Sequence, residues 1–371
     1  DSEGHEGKFY VWTDAELDEL LGEEAPFVKE YFGVTPGGNF EGTSILFVPV
    51  DPAELAAKIG TPEPALAEAI DAAKAILYEA RSRRVWPARD EKVLAGWNGL
   101  MLRAVAEAAR AFGDERYRSI VLRNAEFLYS EMVQGGRVMR SRKDGSTRIP
   151  GFLEDHAAVA LGFVATYELT FDERWIDRAL EISAAITDMF WDEETLVFFD
   201  TAKDAEKLIT RPRDVADNAV PAGNSLAVDL CLRLSELTGS QDLRGRAESV
   251  LRPLATAMGK HAIAFGHLLG AADTLVRGGV QVAIAGDPQS DAFAGFTRAA
   301  ASLYVPGLIL AGGDPAHART VALLKDRATG GSVTAYVCRA FACELPAREP
   351  EALAEQLREA SRASVPGGVD T

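Results

Sequence analysis

Cysteine, histidine and basic charge are all scarce in this sequence. Three cysteines in 371 residues (Cys231, Cys338, Cys343) are too few, and odd in number, for a disulfide scaffold, so a reducing, cytoplasmic setting is expected. Five histidines show no metal-ligand spacing, so neither a metal nor a cofactor is expected, and His5, His261, His267 and His317 read as structural or exposed. Lysine and arginine number 39 against 56 acids, a net charge of −17. A nucleic-acid groove needs positive potential, so nucleic acid is not an expected partner, and the same charge argues against an anionic membrane surface. Long apolar runs are missing too. The longest uncharged stretch, Ala299–Gly313, contains Pro306 and falls short of the roughly 20 residues a spanning helix needs. The opening Asp1-Ser2-Glu3-Gly4-His5 has neither a signal peptide nor an initiator Met, which suggests a processed form or a fragment.

What is present is a sequence of ordinary globular balance, 47% hydrophobic and 26% charged, able to bury a large core. Lys8–Trp12 and Ser44–Val50 read as strands. Thr13 with Glu16 three residues on reads as a capping box, and Asp51 caps a second helix. Helices are predicted over 63–84, 91–112, 115–133, 152–169, 174–190, 221–237 and 242–258, with extended pieces at 137–141, 147–149 and 195–200. Val280–Ala285 and Ser332–Val337 read as strands around helices at 292–301 and 317–324, and 351–361 as a closing helix.

The helices repeat. The turn Phe112-Gly113-Asp114-Glu115-Arg116-Tyr117 recurs as Thr170-Phe171-Asp172-Glu173-Arg174-Trp175, 58 residues on, and more weakly as Thr238-Gly239-Ser240-Gln241-Asp242-Leu243. A period near 60 is too long for common short solenoids and suits a mainly α toroid of helical hairpins with short β excursions. Residues 1–371 are read as a single toroid domain, with the clearest repeat over 90–258.

Inner helices of such a toroid start at the cavity mouth, and three polar clusters sit at those starts. They are Arg89-Asp90-Glu91-Lys92 with Trp97-Asn98, then Glu154-Asp155-His156, then Arg211 to Asp214 with Asp217-Asn218 and Asn224. The chemistry suits a sugar or glycan. Trp97 offers a flat face to a pyranose, and Asn98, Asn218 and Asn224 supply donor and acceptor together. Arg211 and Asp217 complete the substrate-binding set. Asp155, Glu154 and Asp90, with His156 as a tuned partner, are the candidate acid/base residues for glycoside cleavage or epimerisation. Against this, acids at helix starts are normal caps, and a tryptophan in an Ala/Leu-rich helix is usually core. Cys338 and Cys343 form a C-x4-C rather than a redox C-x-x-C and read as two ordinary cysteines beside a strand, with a redox-sensitive thiol pair as the alternative. Mid-helix, Cys231 reads as a small buried hydrophobe.

Several segments resemble one family in order along nearly the whole chain. They are Lys8-Phe9-Tyr10-Val11-Trp12-Thr13, Gly38-Asn39-Phe40-Glu41-Gly42, Asp90-Glu91-Lys92-Val93-Leu94 with Trp97-Asn98-Gly99-Leu100, and Phe152-Leu153-Glu154-Asp155-His156. Asp217-Asn218-Ala219-Val220-Pro221 with Gly223-Asn224-Ser225, and Val337-Cys338-Arg339 with Cys343 and Leu345-Pro346, continue the match. On these the chain resembles the YyaL / spermatogenesis-associated protein 20 family. That resemblance implies an N-terminal thioredoxin-like domain followed by an (α/α)6 toroid of the six-hairpin glycosidase type, similar to N-acylglucosamine 2-epimerases. It implies that this chain matches the toroid and lacks the thioredoxin-like domain and the first hairpins. It assigns no reaction. Two functions are therefore expected in competition: a carbohydrate-active enzyme domain, or a non-catalytic scaffold of a thioredoxin-linked redox regulator.

Overall fold

The computed structural model describes all residues except 208, 330, 340, 341 and 363–371. Two compact units make up the chain, Asp1–Glu91 and Lys92–Thr371. The first holds α1 (Asp14–Leu21), α2 (Ala25–Tyr31), α3 (Pro52–Ile59) and α4 (Glu63–Ser82) around a core of Trp12, Leu17, Leu66 and Ile70. The Thr13–Glu16 capping box forms as the sequence predicts. The strands expected at 8–12 and 44–50 do not form. A single bridge joins Trp12 to Ser44, and Arg84 consumes the carbonyls of Phe9 and Val11 while its guanidinium lies 4.1 Å from the centre of the Trp12 ring.

The second unit begins with β1 (Val93–Leu94), α5 (Ala95–Phe112) and α6 (Glu115–Phe127), then β2 (Val133–Gln134), β3 (Arg137–Lys143) and β4 (Ser146–Pro150). Next come α7 (Leu153–Thr170), α8 (Arg174–Phe190), β5 (Trp191–Asp192), β6 (Val197–Phe198), α9 (Gly223–Thr238), α10 (Gln241–Lys260) and α11 (Gly266–Arg277). Helices α5, α7, α9 and α11 pack side by side as an inner row, each of the first three backed by the helix that follows it. This is the α/α-hairpin, toroid-type architecture that the repeat announces. The repeat is a pair of caps. Gly113, Phe171 and Gly239 end the inner helices in the left-handed region, and Asp114, Asp172 and Ser240 each accept a backbone N–H at the start of the next helix.

Helix α7 is apolar on every face because it is walled in on all sides. Its approach to α5 is closest at Gly99, where an added Cβ would stand 2.5 Å from the Ala158 backbone.

The unit closes with a four-stranded sheet of order β10-β9-β7-β8, built from β7 (Val280–Ala285), β8 (Leu308–Gly313), β9 (Thr334–Arg339) and β10 (Ala342–Cys343). β7 and β8 run parallel around α12 (Asp291–Ala301), and β9 is antiparallel to β7. α13 (Pro350–Arg362) packs with α12. The helix expected at 317–324 is reduced to one turn at Ala322–Leu324. The backbone N–H groups of Arg319, Thr320 and Val321 all donate to the Glu173 carboxylate instead. Among the described residues no helix is long and apolar enough to cross a membrane, and no group of three or more His, Cys, Asp or Glu is placed to hold a metal.

Candidate functional site

The N-termini of α5, α7 and α9 open onto one mouth in the second unit. Asp155 stitches two of them together. Its Oδ1 accepts the Gly96 N–H of α5 at 3.1 Å, and its Oδ2 accepts the Phe152 N–H of its own cap at 2.9 Å. Arg140, from β3, donates to Asp155 Oδ2 and Glu154 Oε1, both at 2.9 Å, with its guanidinium against the Phe152 ring. Burial pushes the Asp155 carboxyl up, against the lowering effect of the Phe152 N–H and Arg140. At 3% exposure and with its oxygens engaged, Asp155 positions the mouth.

His156 is a correction to the sequence reading. It is fully buried, its Nε2 accepts the Val138 N–H at 2.9 Å, and its Nδ1 lies 2.8 Å from the Phe152 carbonyl. Donation from Nδ1 and acceptance at Nε2 fix one neutral tautomer. Burial lowers its pKa to about 4. A ring so enclosed cannot reach a substrate. It pins β3 to α7 and so sets Arg140, two residues along the strand from Val138.

Other expected site residues are also spent on structure. Asn98 donates to the Leu94 carbonyl and accepts from Asn124. Arg211 donates to the Thr201 and Met189 carbonyls and lies 4.5 Å from the centre of the Phe199 ring. Asp217 accepts the N–H groups of Ala222, His267 and Leu268, which caps α11. Asn224 is fully buried and donates to the Asp214 carbonyl. Asp90 belongs to the first unit.

Glu154, Trp97 and Asn218 do face the mouth. Trp97 is 65% exposed on α5 and borders the same depression as Arg140, Glu154 and Pro221. Beside it lies a cleft of about 230 Å³ lined by Glu154, Asp200, Asp214 and Asn218. Asp200 is not marked by any motif in the sequence. Its carbonyl accepts the Leu153 N–H at the start of α7, and its carboxylate accepts the Asp214 N–H at 2.6 Å. Burial raises its pKa, against the lowering effect of the Asp214 N–H and Arg213 and with the help of the neighbouring charges of Asp214 and Glu154. The only hint is its position in an extended excursion between hairpins, at the same end as the clusters.

No protein-family model matches the chain. Human spermatogenesis-associated protein 20 is 29% identical over 93% of the chain and 48% of its own length, and the mouse protein is 28% identical over the same shares. The chain is similar to spermatogenesis-associated protein 20 along nearly its whole length. It spans about half the length of these spermatogenesis-associated relatives. Among solved structures, cellobiose 2-epimerase from Bacillus thermoamylovorans matches at 15% identity over 44% of this chain and 45% of that one, with a TM-score of 0.38. An α-1,6-mannanase of Salegentibacter sp. matches at 14% identity over 64% and 70%, with a TM-score of 0.35. D-mannose isomerase matches at 12% identity over 63% and 67%, also with a TM-score of 0.35.

The cysteines bring a second correction. Cys338 and Cys343 are joined as a disulfide across the paired strands β9 and β10, not left as separate thiols. The Arg327 guanidinium lies 3.6 and 3.7 Å from the two sulfurs. Cys231 is free and buried as expected, its thiol pushed up to about 12 by burial.

Proposed function

We propose that the chain is a carbohydrate-active enzyme domain whose mouth takes a sugar or glycan and works on it by carboxylate acid/base chemistry, hydrolase-like or epimerase-like. In this reading residues 1–371 serve as one toroid-type domain. The observation that carries it is a pair of carboxyls on one cleft in unequal environments. Glu154 is held by a guanidinium, and Asp200 has its pKa raised by burial and by its acidic neighbours. The environments assign roles: Asp200, with its raised pKa, is the acid, and Glu154, ion-paired to Arg140, is the base. Trp97 stacks on the sugar ring, and Asn218 at the rim reads a hydroxyl. Arg140 and Asp155 position Glu154. Asn98, His156, Arg211, Asp217 and Asn224 hold the frame.

The test is turnover of a panel of glycosides and free sugars. One class is expected to react, and Glu154→Gln and Asp200→Asn are each expected to lose about 10²–10⁴-fold in kcat. A panel left untouched by the wild-type chain overturns the reading.

A second reading is favoured by the disulfide: a non-catalytic scaffold serving a thioredoxin-linked redox regulator. An external dithiol protein would reduce Cys338–Cys343 to two thiols and leave with its own disulfide. Maleimide labelling after incubation with reduced thioredoxin is expected to modify both cysteines in the folded chain. A bond that stays closed under those conditions removes this reading.

A further inference from the structure

The larger cleft of the second unit lies elsewhere. Its volume is about 560 Å³, within the range of small-molecule sites. It sits at the C-terminal ends of α5 and α7, walled on the far side by the end of α12 and the 302–307 segment that joins it to β8. Glu154 and Glu168 mark the two ends of α7, and fourteen residues of helix put about 21 Å between them. This cleft is therefore separate from the mouth.

Its charged wall has unused hydrogen-bonding capacity. Arg110 makes no hydrogen bond among the described residues, and its nearest carboxylate, Glu168, is 3.5 Å away. Arg233 approaches Glu168 only to 3.8 Å. Glu168 itself is 3% exposed, and among the described residues its carboxylate accepts one hydrogen bond, from the Leu310 N–H at 3.3 Å. Two guanidiniums with spare donors thus flank a carboxylate with spare acceptors.

The charges also balance. Arg103 and Arg233 are both paired with Asp229 behind the wall, at 2.7 and 2.9 Å, and Arg103 also holds Glu107. With Arg110 and Glu168 included, three guanidiniums meet three carboxylates, and the His267 ring also reaches Asp229, at 3.2 Å. An anion or cation entering such a half-buried network would leave one charge without a partner, which is costly at low dielectric. A hydroxyl has no such penalty, since it donates to Glu168 and accepts from Arg110 at once. The rim supplies flat apolar faces, with Phe112 74% and Tyr304 89% exposed.

We propose that this cleft is a second ligand site, selective for an uncharged polyhydroxylated ring such as a hexose or the end of a glycan. It shares with the function proposed above only the ligand class, and depends on none of the mouth residues.

Calorimetry on the 371-residue chain tests it, with glucose, mannose and cellobiose as probes and glucuronate and inorganic phosphate as anionic controls. A Trp97→Ala variant silences the mouth. A neutral sugar is expected to bind Trp97→Ala, and its Kd is expected to rise tenfold or more when Tyr304→Ala or Arg110→Met is added. Tyr304 is too exposed for its loss to disturb folding, so that variant remains decisive if Arg110→Met is unstable. Sugar binding that Trp97→Ala abolishes and Tyr304→Ala leaves unchanged overturns the second site while the mouth stands. Sugar binding lost in Tyr304→Ala alone supports it and counts against the mouth. Preference for glucuronate or phosphate, or no binding of any neutral probe, overturns it.

Discussion

Burial decides what His156 does. The ring is neutral in the fold, with its pKa lowered to about 4, and is free to protonate near 6.5 once the chain unfolds. Its contribution to stability is therefore complete above about pH 6.5 and lost as the pH falls toward 4, up to roughly 3 kcal/mol in all. Chemical denaturation across that window is expected to show a steep loss for the wild type and a shallower one for His156→Gln. Equal slopes would mean that the ring is not enclosed as described. Asp155→Ala is expected to cost about 3–5 kcal/mol, because Arg140 and two N–H donors lose their acceptor. The cluster Glu154-Asp155-His156 is legible in the sequence as a cluster, but its division of labour is not. The partners that decide it, the Val138 N–H, the Gly96 N–H and Arg140, are distant in sequence, and two of the three are backbone groups. Asp200 escapes a sequence reading for a related reason. Its raised pKa comes from burial and from neighbours brought by the fold, and no motif surrounds it.

At the scale of elements, helix turns are the most legible feature. A helix ending in a left-handed residue followed by an Asp or Ser cap is local chemistry, so it repeats visibly in the sequence. Phe171 is the exception that shows a tertiary demand. It adopts φ 58° where the other two turns use glycine, and its ring packs on Phe293 at 5.2 Å and against Gly312. The close α5–α7 approach is not legible, since a glycine in a helix does not announce what lies against it. Gly99→Ala is expected to destabilise by about 1–3 kcal/mol through overpacking and to lower turnover by shifting Gly96 off Asp155. Gly113→Ala, in open space at a left-handed turn, is expected to cost about 1–2 kcal/mol and leave turnover unchanged. Equal effects on turnover would contradict the role given to the α5–α7 contact. The segment 317–324 fails as a helix because Glu173, far away in sequence, claims its N–H groups.

For the whole molecule, a net charge of −17 and the shortage of cysteine and histidine narrow the chemistry on composition alone. The hairpin row then places three of the named residues, Trp97, Glu154 and Asn218, at one mouth, and assigns most of the others to its frame. The acid/base work proposed for that mouth rests on Asp200 acting in its protonated form. The most direct measurement is the pH dependence of kcat/KM, on whichever sugar the wild-type chain turns over, compared with Asp200→Asn. Activity is expected to fall as the pH rises through an Asp200 pKa above the ordinary aspartate value, with that limb and most of the rate missing in the variant. An Asp200→Asn chain with the wild-type rate and the wild-type profile would contradict the assignment.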